Sequence, residues 1–193
     1  MLGASLLMGA QSFKLWTPSS LSLLLWLDAS LSNSIVLSGS SVTQWKDQTA
    51  NQNNANSVYA PIYTLGAQNG LNVVEFNPSS TSTQRMDFTR LTSIKHIFFV
   101  AKKNNVDYSS FVLADPIADD IRGVNFGVDS TSNLSVQQLF TYSGGATRGF
   151  FHQVEIKTDG TNATLGVDGV RTSQANANIM SSGTIGYYRN AVT

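Results

Sequence analysis

The chain has 193 residues, 12 Lys and Arg balanced by 12 Asp and Glu, and no cysteine. That length suits one β domain with a real core and is short for two. Sparse, balanced charge argues against a general grip on nucleic acid or anionic membrane, and the missing cysteines exclude a disulfide framework and a thiolate metal site.

Met1 to Ala10 is apolar enough to suggest the apolar stretch of a signal peptide, but no Lys or Arg precedes it and the run is short, which favours a docking arm or an extra strand. Residues 1–15 therefore read as an assembly arm, with Leu2, Leu6, Leu7, Met8 and Phe13 as its partner-binding side chains. Ordering such an arm costs ~1–2 kcal/mol per residue, so its apolar residues are expected to be covered by a second subunit or another component of an assembly. Residues 16–193 form the main domain. No stretch reaches the ~20 apolar residues that span a bilayer.

Leu21 to Asp28 is continuously apolar and predicts a strand buried on both faces. Ile35 to Leu37 and Val42 to Trp45 predict short strands around the Ser38-Gly39-Ser40 turn. Asp47 to Ser57 is almost wholly Asn, Gln, Thr and Ala, which predicts a loop. Leu71 to Phe76 and Met86 to Phe88 predict strands. Ile94 to Ala101, with Ile97, Phe98, Phe99 and Val100 in succession, predicts a central strand. Phe111 to Leu113, Val124 to Val128 and Leu134 to Phe140 continue the series at sandwich spacing. Phe151 to Thr158 alternates, with His152, Val154, Ile156 and Thr158 on one face. Asp168-Gly169 predicts a two-residue hairpin turn, since both residues tolerate positive φ. The expected fold is all-β, an antiparallel two-sheet sandwich, with Leu25, Leu27, Val74, Phe76, Phe98, Val100, Val154, Ile156, Leu165 and Val167 in the core.

Four motifs in order carry a family likeness. They are Trp26-Leu27-Asp28 followed by Trp45-Lys46-Asp47; Gly70-Leu71-Asn72-Val73-Val74-Glu75-Phe76; His152-Gln153-Val154 followed by Val167-Asp168-Gly169; and Thr184-Ile185-Gly186-Tyr187. Together they resemble the laminin-G-like, concanavalin A-like jelly-roll domains of tailed-phage virion proteins and bacterial surface proteins. The resemblance implies a jelly roll with an N-terminal extension. Domains of this kind continue past the Ile-Gly strand into a closing strand, whereas only Tyr188 to Thr193 remain here. An open sheet edge is an aggregation hazard, and a neighbouring chain or the arm is expected to cover it.

Retaining glycosidases of this fold need paired carboxylates ~5 Å apart. The only glutamates, Glu75 and Glu155, have no second acid at the alternate strand position, and no nucleophile motif is present. His152 and His96 lie in apolar strand contexts and are expected to be packed, hydrogen-bonded core residues. Trp16, Trp26 and Trp45 are expected to be core rather than sugar platforms. Asp28 and Asp47 should accept backbone N–H bonds at the turns that follow them. Asp115, Asp119, Asp120 and Asp129 are the candidate Ca2+ ligands, as hard oxygens in one loop region, although Asp119-Asp120 also fits a solvated loop tip. No other cofactor is implied. Tyr59, Tyr63 and Tyr142 are candidate glycan contacts; ordinary half-buried sandwich tyrosines would look the same.

The functional expectation is a non-enzymatic structural protein on the exterior of a tailed-phage virion, as capsid decoration or a tail module. Its partners would be other virion proteins, further copies of itself in a homo-oligomer, and a host-surface polysaccharide. Nucleic acid and membrane are not expected partners. The alternative is a carbohydrate-binding module of a bacterial secreted or cell-surface protein.

Overall fold

The computed structural model describes residues 18–76, 84–104, 110–115, 124–126, 134–136, 140–142, 149–176 and 180–188. The arm residues Leu2, Leu6, Leu7, Met8 and Phe13, together with Trp16, lie outside them. In chain order the strands are β1 (Ile35–Ser38), β2 (Ser41–Trp45), β3 (Ala55–Tyr59), β4 (Ile62–Gln68), β5 (Leu71–Glu75), β6 (Arg85–Ile94), β7 (His96–Lys102) and β8 (Ser110–Ala114). There follow β9 (Val124–Phe126), β10 (Leu134–Val136), β11 (Phe140–Tyr142), β12 (Phe151–Thr158), β13 (Asn162–Val167), β14 (Val170–Ala175) and β15 (Met180–Tyr188).

These strands build two antiparallel sheets. The larger runs β11-β10-β9-β8-β15-β6-β3-β2-β4-β5, with β1 paired to β2, and the smaller runs β14-β13-β12-β7. The expected all-β, two-sheet sandwich is what is found. Between the sheets lies a core of Ile94, Val154, Ile156, Ala163, Leu165, Val167 and Met180. The larger sheet also curls on itself around a second core of Ile35, Val42, Ala55, Met86 and Phe88, and Leu25, Leu27, Val74 and Phe76 pack against it as expected.

Strand alternation explains the smaller sheet. His152, Val154, Ile156 and Thr158 are buried on β12, as are Ala163, Leu165 and Val167 on β13. Asp168 and Gly169 join β13 to β14 with φ of 49° and 86°, the turn expected from their tolerance of left-handed backbone.

Four expectations are corrected. Leu21 to Asp28 is not a strand: Pro18–Ser20 is a 3-10 turn, and Leu21 and Leu24 are exposed. The backbone of this segment bonds to side chains, to its own turn and to the Gln48 N–H in place of a strand ladder. Trp26 N–H donates to Asp47 Oδ1 (2.9 Å), and Asn51 Nδ2 donates to the Leu23 and Leu24 carbonyls. The polar loop ends earlier than expected, because Ala55 and Asn56 pair with Trp45 and Gln44 and open β3.

The run from Ile94 to Ala101 is divided at Lys95, where the chain passes from the larger sheet to the smaller, and β7 is an edge strand rather than a central one. Its Ile97, Phe99 and Ala101 face the core, whereas Phe98 and Val100 point outward, each 59% exposed. An unbroken apolar run carries no phase, so the sequence could not say which alternate residues face in. The Ile185-Gly186 strand, β15, is bonded to β6 on one side and to β8 on the other.

Asp47 ties the irregular N-terminal segment down. It is buried and accepts from the backbone N–H groups of Trp26, Thr49 and Asn53 and from the Thr49 hydroxyl. Burial alone would raise its pKa, but these donors outweigh it and hold the carboxyl below its ordinary value. Asp28 accepts from the backbone N–H and the hydroxyl of Ser30 at the turn that follows it.

Two outcomes follow. Phe98→Ala should change unfolding free energy by less than about 1 kcal/mol, while Leu165→Ala should cost roughly 2–5 kcal/mol in chemical denaturation. A folded pKa below the unfolded one means that Asp47 contributes stability above the unfolded carboxyl value of about 3.9 and loses it as pH falls through the lower folded value. Asp47→Asn should therefore destabilise at pH 7 and flatten the acid limb of a stability-against-pH curve.

Candidate functional site

The outer face of the smaller sheet collects the chemistry-bearing side chains that the fold does not bury. On β7 the outward residues are His96, Phe98, Val100 and Lys102. Opposite them on β12 are Lys157, Glu155, Gln153 and Phe151, paired in that order. The next strands add Gly166 and Thr164 from β13, facing Arg171 and Ser173 from β14.

Glu155 sits at the centre. Its Oε1 meets His96 Nε2 at 3.0 Å and its Oε2 accepts from Arg171 Nε at 2.5 Å. The hydrogen bond from Arg171 first, and then the charges of Arg171 and His96, hold the Glu155 carboxyl below its ordinary value against a smaller opposing effect of burial. Arg171 lies two strands away from Glu155, and it reaches across because Gly166 stands between them. A Cβ on Gly166 would sit 3.3 Å from Arg171 Cγ and 3.4 Å from Glu155 Cβ, closer than most side chains tolerate. Thr164 and Ser173 hydroxyls bond to each other at 2.7 Å beside this pair. Lys102 Nζ lies 5.1 Å from the centre of the Phe151 ring, a cation–π contact at the far end of the face.

The arrangement offers an ionised acceptor, a guanidinium and an imidazole that are partly exposed, and an exposed aromatic ring on one sheet face. Arg171 is 61% and His96 52% exposed. The expectation that His96 is a core residue is thus corrected: it opens β7 on the outward phase, and the chain has already left the larger sheet. His152 does lie in the core as expected, its Nδ1 2.6 Å from Asp168 Oδ2. Burial opposes ionisation of Asp168, but the bonds from His152 and the Gln153 N–H outweigh it and lower its pKa.

The other expected site residues are scattered. Asp115 is fully buried and accepts both an Arg90 pair (Nε to Oδ1 3.0 Å, Nη2 to Oδ2 2.7 Å) and the Ser181 hydroxyl. Its lone pairs serve that internal network, so it is not offered to a cation. Asp119, Asp120 and Asp129 lie outside the described residues. Among the described residues no three His, Asp or Glu side chains cluster as a metal site. Tyr59 is exposed on β3 of the larger sheet. Tyr63 is tied into the scaffold, its hydroxyl donating to the Ala29 carbonyl (3.0 Å) and accepting from Asn72 Nδ2 (2.8 Å). Tyr142 ends β11, and its side chain lies outside the described residues. The structure therefore does not bring the three tyrosines together as a described surface.

The face around Glu155 was not singled out in the sequence, yet a signal was there. His96-x-Phe98-x-Val100-x-Lys102 and Phe151-x-Gln153-x-Glu155-x-Lys157 each place mixed polar and apolar residues on one phase of a strand. Comparison with protein-family models, curated proteins and solved structures finds no match for this chain.

If Arg171 is what holds Glu155 ionised, Arg171→Gln should raise the Glu155 carboxyl pKa toward the ordinary value in a carbon-detected NMR titration. With the pair intact, its contribution to stability is present above the unfolded carboxyl value and is lost as pH falls through the lower folded one.

Proposed function

We propose that this chain is a non-catalytic β-sandwich module displayed on a surface, and that it attaches to polysaccharide through the outer face of its smaller sheet. The observation that carries the reading is Phe98, an aromatic ring left bare on a flat strand beside the Glu155–Arg171 pair. A sugar ring has an apolar C–H face and a rim of hydroxyl groups. A bare ring supplies the surface for the first and an ionised donor–acceptor pair the partners for the second. Glu155 is held ionised chiefly by the Arg171 guanidinium, which suits a fixed hydrogen-bond acceptor better than a proton donor to a glycosidic oxygen.

The setting proposed is the exterior of a tailed-phage virion, as capsid decoration or part of the tail, with further copies and other virion proteins as partners. The four ordered motifs and the two-sheet architecture support it. A carbohydrate-binding module of a bacterial surface protein is the second reading, favoured by the exposed Phe98 ring beside the Glu155–Arg171 pair. Native mass separates the two: an oligomer or virion-bound protein supports the first, and a free monomer the second.

Binding of the purified protein to an immobilised panel of neutral and acidic bacterial polysaccharides tests the common part. Phe98→Ala should weaken binding by about tenfold or more with the melting temperature unchanged. Release of reducing ends, abolished by Glu155→Gln, would refute the non-catalytic assignment.

A further inference from the structure

We infer that the glycan taken by this face is acidic, a polymer carrying one carboxylate per sugar; the inference rests on the glycan-binding reading above. Its basis is how charge is distributed. The chain as a whole is balanced, 12 basic residues against 12 acidic. The outer face of the smaller sheet is not: Lys102, Lys157 and Arg171 point outward there, with His96 beside them, and Glu155 is the one carboxylate on the outward phase of the four strands. Two further carboxylates lie at the turns that border the face: Asp168, at the β13–β14 turn, directs one carboxylate oxygen to the buried His152 and the other to the Gln153 N–H, and Asp159, at the β12–β13 turn two residues beyond Lys157, accepts from the Thr161 and Asn162 N–H groups.

The cations are also differently committed. Arg171 shares Glu155 through its Nε, and Lys102 rests on the Phe151 ring. Lys157 stands opposite His96, is exposed, and forms no ion pair among the described residues. Neighbouring strands are about 4.8 Å apart and each residue rises about 3.4 Å, which puts Lys157 on β12 and Arg171 on β14, two strands and two residues apart, roughly 12 Å from each other, with Phe98 on the opposite flank of Glu155. A chain of sugars crossing the strands would rest one ring on Phe98 and present carboxylates to Lys157 and to the outer edge of Arg171.

A neutral glycan would leave that excess positive charge without a partner. A nucleic acid would bring far more negative charge than the face can match, since duplex DNA carries one charge per about 1.7 Å of axis. A few cations spread over four strands, with a carboxylate in their midst, fit a sparsely charged polymer. Gly166 belongs to the same design, because it keeps the middle of the face low and lets Arg171 lie flat against Glu155.

The test uses the full chain with polygalacturonate, its fully methyl-esterified counterpart and duplex DNA as probes, measured by calorimetry at two salt concentrations. Polygalacturonate should bind more weakly as salt rises and about tenfold or more tighter than the ester or the DNA. Lys157→Gln and Phe98→Ser, both at exposed positions, should each weaken it by about fivefold or more with unchanged melting temperature. Equal binding of ester and acid, equal binding of DNA, or full affinity in Lys157→Gln would overturn the assignment. Phe98-dependent binding of the ester alone would overturn the acidic specificity and leave the glycan-binding reading standing. No Phe98-dependent binding to any of these probes or to the polysaccharide panel would remove both.

Discussion

The insertion of the last strand, β15, between β6 and β8 is the pairing on which the rest of this fold depends. Met180 pairs with Ile94 and Ile185 with Met86 on one side, while Thr184 and Ile185 meet Ala114 and Leu113 on the other. The strand serves both cores, for Met180 is buried in the first and Ile185 packs on the second. Polar ties reinforce it. Thr184 donates to Asp87 at 3.0 Å, and Ser181 joins the Arg90–Asp115 pair. At Gly186, with φ of 73°, a side chain would run into the Phe76 ring, so only glycine lets the strand pass there. These contacts join residues about seventy to a hundred positions apart, so closing this sheet is a non-local event that carries a loop-closure cost.

With that strand in place, the larger sheet presents Leu91, Ile94, Val112, Leu113 and Met180 to the smaller sheet that lies over it. Covering one face of the smaller sheet leaves the other in solvent. Every second residue of β7, β12 and β13 is then committed to the core, and the remaining half are free of packing duties. Phe98, Glu155 and Lys157 stand where they do because Ile97, Val154 and Ile156 must face inward. The candidate site is thus a consequence of strand phase and needs no special loop to build it.

The Asn- and Gln-rich stretch from Asp47 to Asn56 shows a different route from sequence to structure. It carries no apolar periodicity, yet its side chains do the work of backbone. Asn53 exchanges two bonds with Thr89 of β6, and Asn54 accepts from the Asp47 N–H. Asn51 and Asp47 hold the segment from Leu23 to Trp26, which would otherwise leave its backbone groups without strand partners. Amide side chains bond to backbone in many geometries, so their presence announces turns without saying which segment they will hold.

Sequence alone determined the all-β class, the alternation of β12 and β13, the hairpin at Asp168-Gly169 and the acceptor roles of Asp28 and Asp47. Each of these rests on local rules: a two-residue period, tolerance of positive φ, a short carboxylate next to a turn. The tertiary structure decided that β7 lies at an edge with Phe98 outward, that Leu21 to Asp28 is irregular, and that His96, Glu155 and Arg171 meet. It also decided that Asp115 is consumed by Arg90. Those outcomes depend on which strands become neighbours. A run such as Ile97-Phe98-Phe99-Val100 satisfies either phase equally, and only the layer that packs against one side of it chooses between them.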